Sequence, residues 1–178
     1  MSEGNASCTV QIRELTPRDA QALIQLRVQC IGHDPHSFCV LLDEERQISQ
    51  AQMFSMLQRF QNNPRSMLWG AFYGDRMVGM IGLESLAGQV RQHRGIVSSL
   101  CVLPEFRRYG IGRALLEILI DYARTLPDLR YLILEVSASS EAAITLYQHL
   151  GFQHNGVEPE ALHYDDQFID LYRMNLRL

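Results

Sequence analysis

Residues 100–116 read L-C-V-L-P-E-F-R-R-Y-G-I-G-R-A-L-L: the end of an apolar strand, a turn marked by proline, two glycines among arginines, and the opening of an amphipathic helix. A glycine turn that leads from a strand into a helix points the free N–H groups of the first helical turn, and the positive end of the helix dipole, at one spot. The spacing therefore predicts an anion cradle. Gly110 and Gly112 permit backbone angles and a close approach that a side chain would block, and Arg107, Arg108 and Arg113 supply charge. It is not a dinucleotide fingerprint, because the third glycine of G-x-G-x-x-G would fall at Leu115.

On either side of this stretch the periodicities describe one α/β domain with a mixed sheet. Upstream, residues 8–15, 67–73, 76–86 and 93–103 read as strands, with Gly74-Asp75 as a short hairpin turn. On the 93–103 strand, Ile96, Ser98, Leu100 and Val102 are expected on one face and Val97, Ser99 and Cys101 on the other. Thr16-Pro17-Arg18-Asp19 opens a helix with Ala20, Leu23, Ile24, Val28 and Ile31 on one stripe. Asp43-Glu44-Glu45 opens a second helix, which presents Ile48, Met53, Leu57 and Phe60 to a core and stops at Asn62-Asn63-Pro64. Downstream, a helix over 111–125 carries Ile111, Leu115, Ile118, Leu119 and Tyr122 in phase. Residues 131–137 (YLILEVS) read as a strand covered on both faces, 140–150 as a short helix stopped by Gly151, and 151–157 and 167–177 as two closing strands.

Composition narrows the function classes. The 178 residues suit one domain, and 47% hydrophobic with 20% charged residues is ordinary for a globular chain. No apolar run is long enough to span a bilayer, and the opening residues lack the basic and then apolar pattern of a secretory signal, so cytoplasm is the expected compartment. Cys8, Cys30, Cys39 and Cys101 form no C-x-x-C pair and suit reduced thiols. A formal charge of −4 argues against general binding to nucleic acid or an anionic membrane. All 16 basic residues are arginine, which excludes a P-loop and Schiff-base chemistry, both of which need lysine. Seven arginines fall within 91–130 against four acids, and seven acids and no arginine within 131–172. The first stretch suits an anion and the second a cation, unless both are simply solvated faces.

The Arg107, Gly110 and Gly112 pattern, preceded by L-C-V-L-P-E at 100–105, resembles the Q/R-x-x-G-x-G/A signature of the GNAT superfamily of acetyl-CoA-dependent N-acetyltransferases. The resemblance runs from about residue 76 to 153. L-E-V-S-A-S-S-E-A-A-I-T-L-Y-Q-H-L-G-F at 134–152 is similar to ribosomal-protein alanine N-acetyltransferases, whereas G-V-E-P-E-A-L at 156–162 is similar to bacterial small-molecule acetyltransferases. It implies a single GNAT domain over 8–178 behind a short tail, 1–7, with six to seven strands in a mixed sheet flanked by about four helices. It further implies a cytoplasmic acyltransferase whose acceptor is a small-molecule amine or a peptide N-terminus, with no metal, and it allows a homodimer. Where the family commonly has asparagine opening the short helix, this chain has Ser140, which can still cap but has less reach.

By the same resemblance, the main chain of Leu100, Cys101 and Val102 pairs with pantetheine, the N–H near Leu100 holds the developing oxyanion, and Arg107, Arg108, Tyr109, Gly110, Ile111, Gly112 and Arg113 hold the pyrophosphate, with Ser140 nearby. Tyr147, at the family's L-Y position, protonates the departing thiolate; without the resemblance it reads as a core aromatic. Glu135 is the expected base, acting through water. As a buried carboxylate it would carry a raised pKa, and it could equally be a structural acid. Glu84 and His93 on neighbouring strands are the substitutes, either of which could instead be surface. A lysine-like amine with pKa about 10.4 needs a base, at a cost of about 4 to 5 kcal/mol near neutral pH, whereas an α-amine near 8 costs about 1 kcal/mol. The late acids, among them Glu158, Glu160, Asp165 and Asp166, would attract either.

Two other readings compete. A non-catalytic acyl-CoA sensor or interaction module would use the same cradle. Cys30, His33, His36 and Cys39 are all metal-ligand types, but their C-x-x-H-x-x-H-x-x-C spacing lacks the longer loop that usually separates zinc-ligand pairs, and Pro35 sits in its middle. Packing and loop polarity account for them.

Overall fold

The computed structural model describes residues 9–164 and 166–178; the tail 1–7, Cys8 and Asp165 lie outside the described residues. Seven strands form one mixed sheet: β1 (Val10–Glu14), β2 (Met67–Tyr73), β3 (Arg76–Ser85), β4 (Arg94–Val102), β5 (Tyr131–Ser137), β6 (Gln153–Tyr164) and β7 (Gln167–Arg177), in the order β1-β2-β3-β4-β5-β7-β6. Every neighbouring pair is antiparallel except β4 with β5. Five α-helices flank it: α1 (Ala20–His33), α2 (Leu42–Arg46), α3 (Gln50–Gln61), α4 (Ile111–Thr125) and α5 (Glu141–His149).

The helix expected from Asp43 to Phe60 is therefore two. Ser49 breaks it by opening α3 with a capping box: its Oγ accepts from Gln52 N–H at 3.3 Å, and its own N–H donates to Gln52 Oε1 at 2.8 Å. The stripe of α1 is also rotated from expectation. Leu26 and Cys30 are buried beside Ala20, Leu23 and Ile31, and Val28 is not. On α4, Leu116, Ile120 and Ala123 join Ile111, Leu115 and Leu119 in the core, while Ile118 and Tyr122 are half-buried. β6 reaches Tyr164, well past the expected end at 157, so most of the stretch between the two closing strands is itself strand. As an edge strand it tolerates Pro159 and takes up two register shifts against β7.

The two sheet faces carry different helices. At Gly79 a Cβ would point at Leu115 of α4, whereas the next residue, Met80, lines a cavity with Arg27 of α1. A Cβ on Gly79 would also come within 2.9 Å of the Cys101 carbonyl, so close strand packing requires glycine here. The central departure from regularity is in β4. Ser98 pairs with Gly82 but Cys101 pairs with Met80, so three steps on β4 answer two on β3. This bulge, with Ser99 at φ 56°, inverts the alternation. Cys101 falls on the face of Ser98, not on that of Val97 as the plain period of two predicts.

Candidate active site

Past the bulge the sheet opens. The parallel pairing of β4 with β5 is confined to Arg94–Ile96 against Tyr131–Ile133, and beyond that the strands diverge. β5 is accordingly uncovered on one face around Ile133 and Glu135, while Ser137 on that face is buried again. Leu132, Leu134 and Val136 are buried, while Ile133 and Glu135 face a cleft of about 610 Å³. The other walls are Arg27 of α1, the Ser37–Cys39 loop, Arg94 to Ser99 of β4, and Arg173 of β7. A second cavity of about 450 Å³, under α3, shares Arg27, Ser98 and Ser99 with it.

At the C-terminal end of β4 the chain turns through Pro104–Phe106 into α4. Arg108 and Gly110 both have positive φ, 67° and 79°, and such turns gather successive N–H groups into a concave, anion-accepting surface. Among the described residues, the N–H groups of 108–113 have no acceptor; the first helical donor to find one is Ala114, on the Gly110 carbonyl at 2.9 Å. The two glycines serve different ends. Gly110 supplies the left-handed angle, with open space where its Cβ would be. Gly112 is helical, and a Cβ there would make only ordinary contacts with Leu146 and Val102 at 3.6 and 3.8 Å. Nothing among the described residues demands glycine at 112.

The arginines are less uniformly phosphate-directed than their spacing suggests. Arg107 Nε donates to the Val102 carbonyl at 2.9 Å, which engages one of the main-chain groups expected for pantetheine. Arg113 Nε is held by Glu117 Oε1 at 2.8 Å, one turn along α4. Arg108 and the 79%-exposed Tyr109 project from the turn. Ser140 stands at the N-cap of α5 but makes no side-chain capping bond; its Oγ meets Ser37 Oγ at 3.1 Å and ties the α1–α2 loop to the end of β5.

Glu135 is not the buried carboxylate that its apolar strand suggests. It is about half exposed and accepts from Arg173 Nε at 3.0 Å, while Arg173 Nη2 reaches Glu158 Oε2 at 2.6 Å. Glu135 and Arg173 are cross-strand partners in the β5–β7 register. The pair was missed in the sequence because Arg173 lies 38 residues further on. The late acids are partly engaged in the same way: Glu158 is held by Arg173, and Asp170 accepts from the Glu160 N–H at 2.9 Å. Asp165 is outside the described residues.

Glu84 accepts from Ser98 Oγ and faces the second cavity. His93 is in the turn before β4, not on the strand, and its carbonyl receives the N–H groups of Arg130 and Tyr131. It lines neither cavity. Tyr147 is 7% exposed, packs on Phe152 and lines neither cavity; burial pushes its phenol well above the ordinary value, so it stays protonated.

Two residues do more than their sequence positions suggest. Arg27 forms a bidentate pair with Glu45, at 2.6 and 2.8 Å, and Glu45 is only 2% exposed. In sequence Glu45 reads as a helix-start acid, yet it fixes α2 on α1 and holds Arg27 at the junction of the two cavities. Ser99, the left-handed residue of the bulge, shapes the strand beside Leu100. Cys30 is buried and Cys39 exposed, and among the described residues no group of three or more His, Cys, Asp or Glu could hold a metal ion. No described helix is long and apolar enough to cross a membrane.

The model of the acetyltransferase (GNAT) family matches residues 35–152. N-alpha-acetyltransferase RimI of Mycobacterium tuberculosis is 31% identical over 149 residues, 83% of this chain and 81% of that protein. The ribosomal protein bS18-alanine N-acetyltransferase of Salmonella typhimurium is 40% identical over 85 residues, 46% of this chain and 57% of that one. Among solved structures, an acetyltransferase of the GNAT family from Streptococcus pneumoniae superposes with a TM-score of 0.84 at 24% identity, covering 96% of this chain and all of that one.

Proposed function

The chain belongs to the GNAT acetyltransferase family and is an acyltransferase, and on that premise we propose that it moves acetyl from acetyl-CoA to a primary amine, with a peptide α-amine as the favoured acceptor. The observation that carries this reading is the set of unpartnered N–H groups at 108–113, set beside the opening between β4 and β5. Those donors suit a pyrophosphate, and the strand edge over Leu100–Val102 suits pantetheine. Acetyl-CoA supplies the thioester. The amine enters from the cleft on the opposite sheet face, and its nitrogen attacks the carbonyl carbon. The N–H near Leu100 steadies the oxyanion, Glu135 takes the amine proton through water, and the carbon–sulfur bond breaks as Tyr147 returns a proton to sulfur. Burial keeps Tyr147 protonated, which suits an acid.

Two details support direct attack and an α-amine. Contact with Cys30, and then burial, hold the Cys101 thiol well above its ordinary pKa, and Cys30, which the same contact lowers, is fully buried, so neither suits a cysteine-bound acyl group. Glu135, already held by Arg173, is better suited to a weakly basic α-amine than to a side-chain amine that needs deprotonating at a cost of about 4 to 5 kcal/mol. The relatives named as acting on α-amines, from M. tuberculosis and S. typhimurium, point the same way. Release of free thiol from acetyl-CoA, followed over short peptides, polyamines, amino acids and aminoglycosides, tests the proposal. Turnover is expected with peptides first. Cofactor binding without thiol release across the whole panel would overturn it in favour of an acyl-CoA-binding module.

A further inference from the structure

We propose that Arg91 and Arg94 form an anion subsite at the end of the acceptor cleft away from the cofactor, so that the acceptor is a peptide whose N-terminus is followed within about five residues by an acidic side chain. The inference rests on the amine-acceptor reading above and extends it to the charge of the acceptor. Four arginines line the cleft against a single acid, in a chain whose formal charge is −4. Arg27 is neutralised by Glu45, and Arg173 by Glu135 and Glu158. The guanidiniums of Arg91 and Arg94 have no hydrogen-bond or ion-pair partner among the described residues; Arg91 is tied to the turn only through its backbone N–H on the Gly88 carbonyl. Two uncompensated guanidiniums lining one cleft, three positions apart in the chain, favour an anion there, and a carboxylate can fill their planar donor forks.

Geometry sets the length of the acceptor. Arg94 lies at the closed end of the opening, opposite Tyr131, six positions before Leu100, where the amine would react. Six strand residues span at most about 20 Å, less the reach of the arginine side chain. A free α-amino acid, whose carboxylate adjoins its amine, cannot bridge that gap. An extended peptide advances about 3.3 to 3.6 Å per residue and can, presenting an acidic side chain a few positions in.

The test uses the full chain and C-terminally labelled hexapeptides that differ only in carrying aspartate, asparagine or lysine at positions three to five. By fluorescence anisotropy the acidic peptide is expected to bind about tenfold or more tightly than the neutral one, an advantage that falls as salt is raised. In the double variant Arg91→Gln/Arg94→Gln that advantage disappears, while calorimetry with acetyl-CoA reports the same cofactor affinity and so an intact fold. In Arg91→Glu/Arg94→Glu the preference passes to the lysine peptide. Equal binding of acidic and neutral peptides by the wild type, or an acidic preference that survives the glutamine pair, overturns the subsite. An acidic preference in binding with no thiol released from any amine would defeat the transferase reading and leave the subsite standing. Turnover of peptides without charge preference would do the reverse.

Discussion

The cradle and the cleft are built on opposite terms. The proposed cradle is one contiguous run, Leu100 to Arg113, built on backbone N–H groups and glycines with arginines beside them. The cleft draws on α1, the loop after it, β4, β5 and β7, and its working groups are side chains that meet only when the sheet assembles. A backbone-built site is written by local chemistry. A side-chain-built site depends on register, and its charges are set by partners far along the chain, as with Glu135 and Arg173.

That contrast can be broken most forcefully at Glu45. Glu45→Ala leaves Arg27 charged, largely buried and unpaired at the junction of the two cavities, and is expected to cost about 3 to 5 kcal/mol of stability, read from denaturant unfolding. A loss below about 1 kcal/mol would mean that α2 is not anchored through this pair. Tyr147→Phe is next. Removing the hydroxyl proposed as the acid should lower turnover about 100-fold with unchanged cofactor affinity and thermal midpoint, and turnover equal to wild type would take Tyr147 out of the mechanism. The smallest effect separates ligand from fold. Gly112→Ala replaces a helical glycine where a Cβ meets only ordinary contacts, so stability should rise by about 0.5 to 1 kcal/mol while affinity for acetyl-CoA falls. An unchanged affinity in calorimetry would show that no ligand passes close to residue 112.

Much of the architecture was legible because it is local. α4 follows from its apolar phase and the Gly110 turn before it, β2 and β5 from their apolar runs, and the β2–β3 hairpin from Gly74-Asp75. The split between α2 and α3 was signalled by Ser49 and Gln52 but hidden under a longer apolar period. The face of Cys101 was misread because a bulge is a property of two strands, and only the Ser98–Gly82 and Cys101–Met80 register reveals it. Glu135 was expected to be buried because an apolar run suggests cover on both faces, whereas the parting of β4 from β5 uncovers the face that carries it.

By itself, then, the sequence determined the succession of strands and helices apart from the split between α2 and α3, and the glycine turn that leaves the N–H groups of 108–113 free, since hydrophobic period, glycine conformation and unsatisfied helix donors act over a few residues. Only the tertiary structure decided which charges neutralise one another, that Arg91 and Arg94 are left over, and where the sheet opens. Ion pairing and strand register join residues that are distant along the chain, and a one-dimensional pattern carries no measure of that proximity.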